Sequence, residues 1–239
     1  MVEPLNRRSL ANQIAERLGE RILRSDLRPG DLLPPAGELA EDFGVSRPVV
    51  RESLKSLEGQ GFIRLLKGKG AEICSVDGEL LDRYFARAAR FESRGIVELL
   101  EVRRSLEPAG AALAAERRTP DQLEALHSIT AKMADTLDRP SRYAELDVAF
   151  HVAVGAATNN KMLTILLGAI RTGMKHSVLA GLRARGTGEQ LVNVQRAHDL
   201  VFDAIERRDA DGAAAAMRDH FDSAVEAIVR GSSDQPARS

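Results

Sequence analysis

The chain has 239 residues, of which 44% are apolar, 29% charged and 4% aromatic, and its formal net charge is −1. That apolar fraction excludes wholesale disorder, and the near-neutral balance excludes a chain that holds polyanions by bulk charge alone. The length allows one large or two modest domains with ample core.

The N-terminus carries no apolar h-region, and no run of about 18 uncharged apolar residues occurs anywhere, so neither export nor membrane spanning is indicated. Residues 9–25 place Leu10, Ile14, Leu18, Ile22 and Leu23 on one face of a first helix. Arg28-Pro29-Gly30-Asp31 ends it and turns the chain. Residues 33–61 then read as helix, tight turn and helix, with the turn at Gly44-Val45-Ser46. Glycine reaches backbone angles closed to other residues, and Ser46 is expected to cap the next helix with its hydroxyl. Arg47 and Arg51 follow, four residues apart on one face of that helix's first turns. A helix-turn-helix sets base-reading side chains at this place, and the arginine fork can donate two bonds to one guanine. Solvated arginines on an ordinary helix pair are the plainer alternative.

After Leu57, the run Phe62, Ile63, Leu65 and RLLKGKGAEIC reads as strand, glycine turn and strand, with Gly68 and Gly70 at the bend. A hairpin there makes a wing, and Lys67, Gly68 and Lys69 at its tip are placed against phosphates. Residues 46–70 hold six basic and two acidic side chains, a concentrated basic strip on a nearly neutral protein. Cys74, the single cysteine, reads as a small strand residue; it can form no intrachain disulfide and fits a reducing, cytoplasmic setting.

Beyond Asp77-Gly78 the chain reads as helix throughout. Breakers divide it into segments of about 79–91, 95–117, 120–137, 141–157, 161–183, 188–208 and 210–230. Short connections between them point to an antiparallel bundle. The fold class expected is therefore mainly α, an N-terminal winged helix-turn-helix joined to an all-α antiparallel bundle. The domains expected are 1–76 for DNA binding, 77–232 for the bundle and 233–239 for a frayed tail. Residues 71–239 hold 22 basic and 25 acidic side chains, so the bundle carries no nucleic-acid footprint.

Ionisable groups fall on the bundle's apolar stripes. Asp147 and His151 share one with Tyr143, Phe150 and Val154; His198 lies among Leu191, Val194 and Ile205; His220 lies between Met217 and Ala224. Four such groups aimed inward are costly unless something satisfies them, and a divalent metal does so. Neutral imidazoles with a carboxylate suit zinc first, with nickel, manganese or iron as alternatives. Separately hydrogen-bonded core histidines are the other reading. Arg103 also points inward, on the stripe of Leu99 and Leu106. Its partner is either an acid of the chain (Glu101, Glu107 or Asp147) or the carboxylate of a bound ligand.

With these residues the chain resembles the GntR family of bacterial transcription regulators, in its FadR-like branch with an FCD-type effector domain. The winged-helix pattern runs from Leu33-Pro34 through Glu38-Leu39-Ala40, Phe43-Gly44-Val45-Ser46-Arg47 and Val50-Arg51-Glu52 to Gly61 and the wing. The bundle pattern runs Glu101-Val102-Arg103, Leu106-Glu107, Asp147, His151, His198 and His220. The resemblance implies that Arg47 and Arg51 contact operator bases and that the wing enters the minor groove. It implies that Asp147, His151, His198 and His220 bind the metal and that Arg103 lines the effector pocket. It also implies a homodimer on a short palindromic operator, repressing until a small carboxylic acid binds. One stretch departs from the family: LPPAGELA stands where LPSERELA is usual, so Pro35 replaces a capping serine and Gly37 an arginine that touches DNA. A metal-dependent enzyme with an accessory DNA-binding domain is the rival from another class. An architectural DNA-binding protein with a vestigial bundle is a third possibility.

Overall fold

The structure, a computed structural model, describes residues 9–91, 94–171 and 188–233. It is mainly α-helical and divides into two compact units, one up to Leu80 and one from Leu81.

The first unit is a winged helix-turn-helix. Helix α1 (Leu10–Arg24) starts at Ser9, whose hydroxyl accepts from the Asn12 amide, and ends with Arg21 and Arg24 near the negative end of the helix dipole. Its buried face is Ile14, Leu18 and Ile22. Leu10 and Leu23, expected on that face, are 52% and 74% exposed. Each lies at a helix end, and Leu23 is rotated a full residue step away from Ile22. Helix α2 (Ala36–Phe43) begins at Pro35, which gives no side-chain cap. It closes at Gly44, whose φ of +61° lets its amide reach back to the Ala40 and Glu41 carbonyls. Helix α3 (Arg47–Gly59) follows. Ser46 occupies its N-cap position, but the hydroxyl makes no capping bond. Pro48 at the second helical position has no N–H, so one of the two amides a cap could reach is missing.

Strands β1 (Ile63–Leu66) and β2 (Gly70–Ile73) pair antiparallel, with Ile63 opposite Ile73 and Leu65 opposite Ala71. The alternation sends Ile63, Ala71 and Ile73 onto the helices, where they join Leu39, Val50, Leu54 and Leu57. A short bridge from Leu32 to Glu72 adds a third edge. Cys74 falls one residue past β2, its amide donating to the Phe62 carbonyl at 2.9 Å.

The second unit contains all but the first two residues of α4 (Glu79–Phe91), then α5 (Gly95–Arg117), α6 (Pro120–Ala134), α7 (Pro140–Ala157), α8 (described over 161–171), α9 (Gly188–Glu206) and α10 (Ala210–Ser233). The expected continuation of α8 to 183 lies outside the described residues, as do residues 234–239 of the expected tail, whose first residue, Ser233, ends α10. A full capping box starts α6, with Thr119 accepting from the Gln122 amide while the Gln122 side chain accepts from the Thr119 amide. The helix stops at Ala134, three residues before the predicted end, because Thr136 and Arg139 form turns instead. The core, built on Leu126, Met133, Tyr143, Phe150, Val201, Ile205, Met217 and Phe221, runs through α6, α7, α9 and α10 and takes in Ala111, Ala114 and Ala115 of α5. Its small residues on α5 let neighbouring helices approach closely.

Candidate functional site

Arg47 and Arg51 are exposed on the first turns of α3, as the spacing predicts. Val50, between them, is fully buried against the unit's core and fixes which face of α3 points outward. Ser46 is exposed beside them at the start of the helix. At the wing, Lys67, Gly68 and Lys69 form an exposed turn, closed by the Lys69 amide donating to the Leu66 carbonyl at 3.1 Å. Gly68 and Gly70 have φ of +76° and +99°, angles that L side chains rarely adopt, which is why the tip carries glycine. The Leu65 amide donates to the Glu58 carboxylate at 2.8 Å, tying the wing to the end of α3. The glycine at position 37 has its own consequence. A Cβ there would lie 3.3 Å from a terminal nitrogen of Arg47, so the missing side chain leaves the Arg47 guanidinium room over the start of α2.

The bundle brings the second constellation together. Asp147 and His151 come from α7, His198 from α9 and His220 from α10, and one ligand atom from each lies within 4.8 Å of all the others. All four are buried or nearly so, His198 completely and His220 at 9% exposure. The His198 and His220 ring centroids are 4.4 Å apart.

Surrounding groups fix how the rings face. His198 Nδ1 lies 2.9 Å from the Val194 carbonyl oxygen, which can only accept, so Nδ1 carries the proton. His151 Nδ1 is bonded to the Glu107 carboxylate, which assigns its proton in the same way. The Nε2 atoms of the two rings then face each other at 3.3 Å, with Asp147 Oδ1 at 3.1 Å from His198 Nε2. Three acceptors thus converge on one point. Such a point suits a cation, and a metal ion would satisfy all three. A histidine ligand held through its other nitrogen by a carboxylate or a carbonyl is the usual support for a metal. The residues therefore fit a divalent ion.

Charge around the cluster is arranged as tightly as the rings. Arg103 Nε donates to Glu107 Oε1 at 2.6 Å, one turn along α5. Of the alternatives the sequence left open for Arg103, the intrahelical acid Glu107 is thus one partner. The Arg103 guanidinium also stacks 4.7 Å from the centre of the Phe221 ring. Its two terminal nitrogens find no acceptor among the described residues. Burial drives the Glu107 carboxyl upward, but Arg171, Arg103 and His151 outweigh it and hold the group well below the carboxylate range. Burial is likewise overcome at Asp147, chiefly by Arg171 and then by the contact with His198. Burial, helped by Arg171, pushes His151 down to about 3; burial and then the neighbouring imidazoles push His220 well below its ordinary value. Both rings are neutral at pH 7, the state in which imidazole binds metal.

Arg171 on α8 was not anticipated. It is 1% exposed and bonds both carboxylates. The signal was present, since Arg171 stands four residues after buried Leu167 and next to buried Ile170, the same intrusion on an apolar stripe that marks Arg103. Periodicity marks Tyr143 only as a residue of the α7 stripe; its hydroxyl donates to Gln195 at 3.1 Å, beside the His198 ring. Of the remaining histidines, His127 stacks on Phe202 away from the cluster, and His176 lies outside the described residues.

Residues 10–73 match the bacterial regulatory proteins of the gntR family, and residues 98–223 match the FCD domain. The chain belongs to the GntR family, with an FCD domain. This GntR regulator is 29% identical over 214 residues to the HTH-type transcriptional regulator LutR of Bacillus subtilis, covering 88% of its own chain and 96% of that protein. It is 30% identical over 209 residues to the galactonate operon transcriptional repressor of Escherichia coli, covering 84% of its own chain and 89% of the relative. Among solved structures, Streptococcus agalactiae GntR is similar with a TM-score of 0.66 at 29% identity, covering 90% of this chain and 98% of that one. The first two of these relatives are regulators of transcription. Among the described residues of the GntR chain, no helix is long and apolar enough to cross a membrane.

Proposed function

We infer that this GntR regulator is a metabolite-responsive repressor. It binds a palindromic operator as a homodimer, through Ser46, Arg47 and Arg51 on α3 and Lys67, Gly68 and Lys69 on the wing. Its bundle holds a divalent metal, zinc or else nickel, manganese or iron, on Asp147, His151, His198 and His220. A small carboxylic acid binds beside them and is met by Arg103. The domains follow the same division, 1–76 for DNA, 77–232 for effector and dimerisation, and 233–239 as a tail.

One observation carries the sensing half of this reading. Two Nε2 lone pairs and a carboxylate oxygen converge in a buried site where the Nδ1 protons of His151 and His198 are already committed to Glu107 and the Val194 carbonyl. When bound, a divalent cation supplies a Lewis-acidic centre for a carboxylate oxygen. The chain's own residues do the rest. Glu107 and the Val194 carbonyl hold the two rings in their ligating tautomers, and burial excludes water. The two terminal nitrogens of Arg103, which donate to no acceptor among the described residues, form the edge of the fork that matches a carboxylate. A relative named for a galactonate operon, galactonate being a sugar acid, supports the carboxylate class. That same relative is a repressor, which supports the sign.

Metal content measured by mass spectrometry on the purified protein tests the site. The wild-type chain is expected to hold close to one equivalent, and His198→Ala with His220→Ala to hold little and to show no carboxylate-induced rise in melting temperature. A full equivalent of metal in the double variant moves the site elsewhere.

A further inference from the structure

Arg171 heads the buried side chains by size among the described residues, and the roles assigned above leave it without a task. From α8 it reaches two other helices. Nη1 donates to Asp147 Oδ2 on α7 at 2.7 Å, Nε to Glu107 Oε1 on α5 at 3.3 Å, and Nη2 to Glu107 Oε2 at 3.5 Å. Burying a guanidinium this deeply is costly, and packing alone would be served as well by an apolar side chain.

Its effect on the ligand set is specific. Arg171 occupies Oδ2 of Asp147, so Oδ1 is the oxygen left facing His198 Nε2 at 3.1 Å. Asp147 thereby offers the cluster one oxygen and a charge already shared with a guanidinium. The buried charges among the described residues are Glu107 and Asp147 against Arg103 and Arg171, which cancel. The three imidazoles add nothing when they act as ligands. The protein therefore supplies no net negative charge to a divalent ion held there.

We propose that Arg171 makes the metal centre an anion receptor: by balancing Asp147 and confining it to one ligating oxygen, it leaves the loaded site positively charged, matched to a carboxylate effector with two negative charges. This rests on the metal reading given under Proposed function. Arg171 is a positioning residue, acting through Asp147 and Glu107. A site with the same four ligands and no Arg171 would hold the metal more tightly and the anion more weakly.

The test uses full-length protein stripped with chelator and reloaded with Co²⁺, whose visible absorption reports ligand binding. Malonate and acetate are titrated at constant ionic strength as the dianionic and monoanionic probes. In wild type, malonate is expected to shift the spectrum at about tenfold lower concentration than acetate. Arg171→Met, which keeps an unbranched apolar stem and loses the charge, is expected to bind Co²⁺ about tenfold more tightly against a competing chelator while its malonate preference collapses. Arg171→Lys is expected to keep that preference. A packing role alone predicts the opposite for Arg171→Met, weaker metal binding with the anion preference intact, and that result overturns the proposal. So does equal response to malonate and acetate in wild type, a measurement that needs no variant to fold. A wild-type chain that takes up no Co²⁺ overturns the metal reading and this inference together. Metal uptake and malonate preference both unchanged by Arg171→Met overturn the role of Arg171 alone.

Discussion

Arg51 and Arg171 are both arginines on helices, and the physics that places them is opposite. Arg51 is exposed on α3 because Val50 and Leu54 anchor the other face, so its role depends on a partner outside the chain. In the proposed complex it donates to base edges. Replacing it with alanine is then expected to cost roughly 1–3 kcal/mol of discrimination between operator and random duplex, with helical content unchanged. Competition binding against both DNAs checks this; undiminished discrimination would move the reading residues off this face. Arg171 is held wholly by partners inside the chain, 24 and 64 positions away. Such separations explain what sequence reading found and missed. Asp147 and His151 share a helix face and His198 and His220 interrupt apolar stripes, so each was legible from local periodicity. The pairing of Arg171 with Glu107 and Asp147 depends on how α5, α7 and α8 pack, which no local pattern states. Ser46 shows the reverse limit: its type and position were read correctly, and the neighbouring Pro48 removed an amide that it could have capped.

Among the elements, the bounds of α4 and α5 were legible because glycine, proline and charge clusters punctuate them. The end of α6 was not, since turn bonds from Thr136 to the Lys132 and Met133 carbonyls compete with the helical continuation. The helices α5, α7, α8, α9 and α10 meet at the buried charge cluster, so their packing depends on its protonation. His151 and His220 have folded values pushed below those of the unfolded chain, so unfolding takes up protons once the pH falls beneath the ordinary histidine value of about 6.5. Without metal, the bundle is therefore expected to lose stability as the pH drops below that value, and His151 contributes to the loss down to about 3. Each proton taken up on unfolding costs about 1.4 kcal/mol per pH unit. The depressed carboxyls of Glu107 and Asp147 add a second loss, beginning near pH 4, where the unfolded groups protonate. Urea unfolding in chelator at pH 7.5, 6.5, 5.5 and 4.5 (values about one unit apart) should show little change in the first step and a steepening fall after it. A flat profile from 6.5 to 4.5 would mean that the histidines are not buried neutral in the metal-free protein.

For the molecule as a whole, regulation requires that the effector and the operator bias the same equilibrium. Linkage makes that bias reciprocal: if a carboxylate lowers operator affinity by some factor, operator DNA lowers carboxylate affinity by the same factor. Factors of about 5–150 are typical of such coupling, equivalent to about 1–3 kcal/mol. The proposed homodimer adds a geometric condition, because two reading helices address half-sites about 10 base pairs apart or a multiple of that. Five base pairs inserted at the operator's centre, about half a turn, turn one half-site to the opposite face of the duplex. A dimer is then expected to bind the altered DNA no better than a single half-site and, with only one reading helix engaged, to lose any influence of the effector that acts through the spacing of the two helices. Gel-shift titrations with intact and expanded operators, with and without a carboxylate that raises the melting temperature, measure both effects at once. Equal affinity for the two DNAs would show that each winged helix-turn-helix reads its half-site independently, and the bundle would then have to act on the reading helix within one chain.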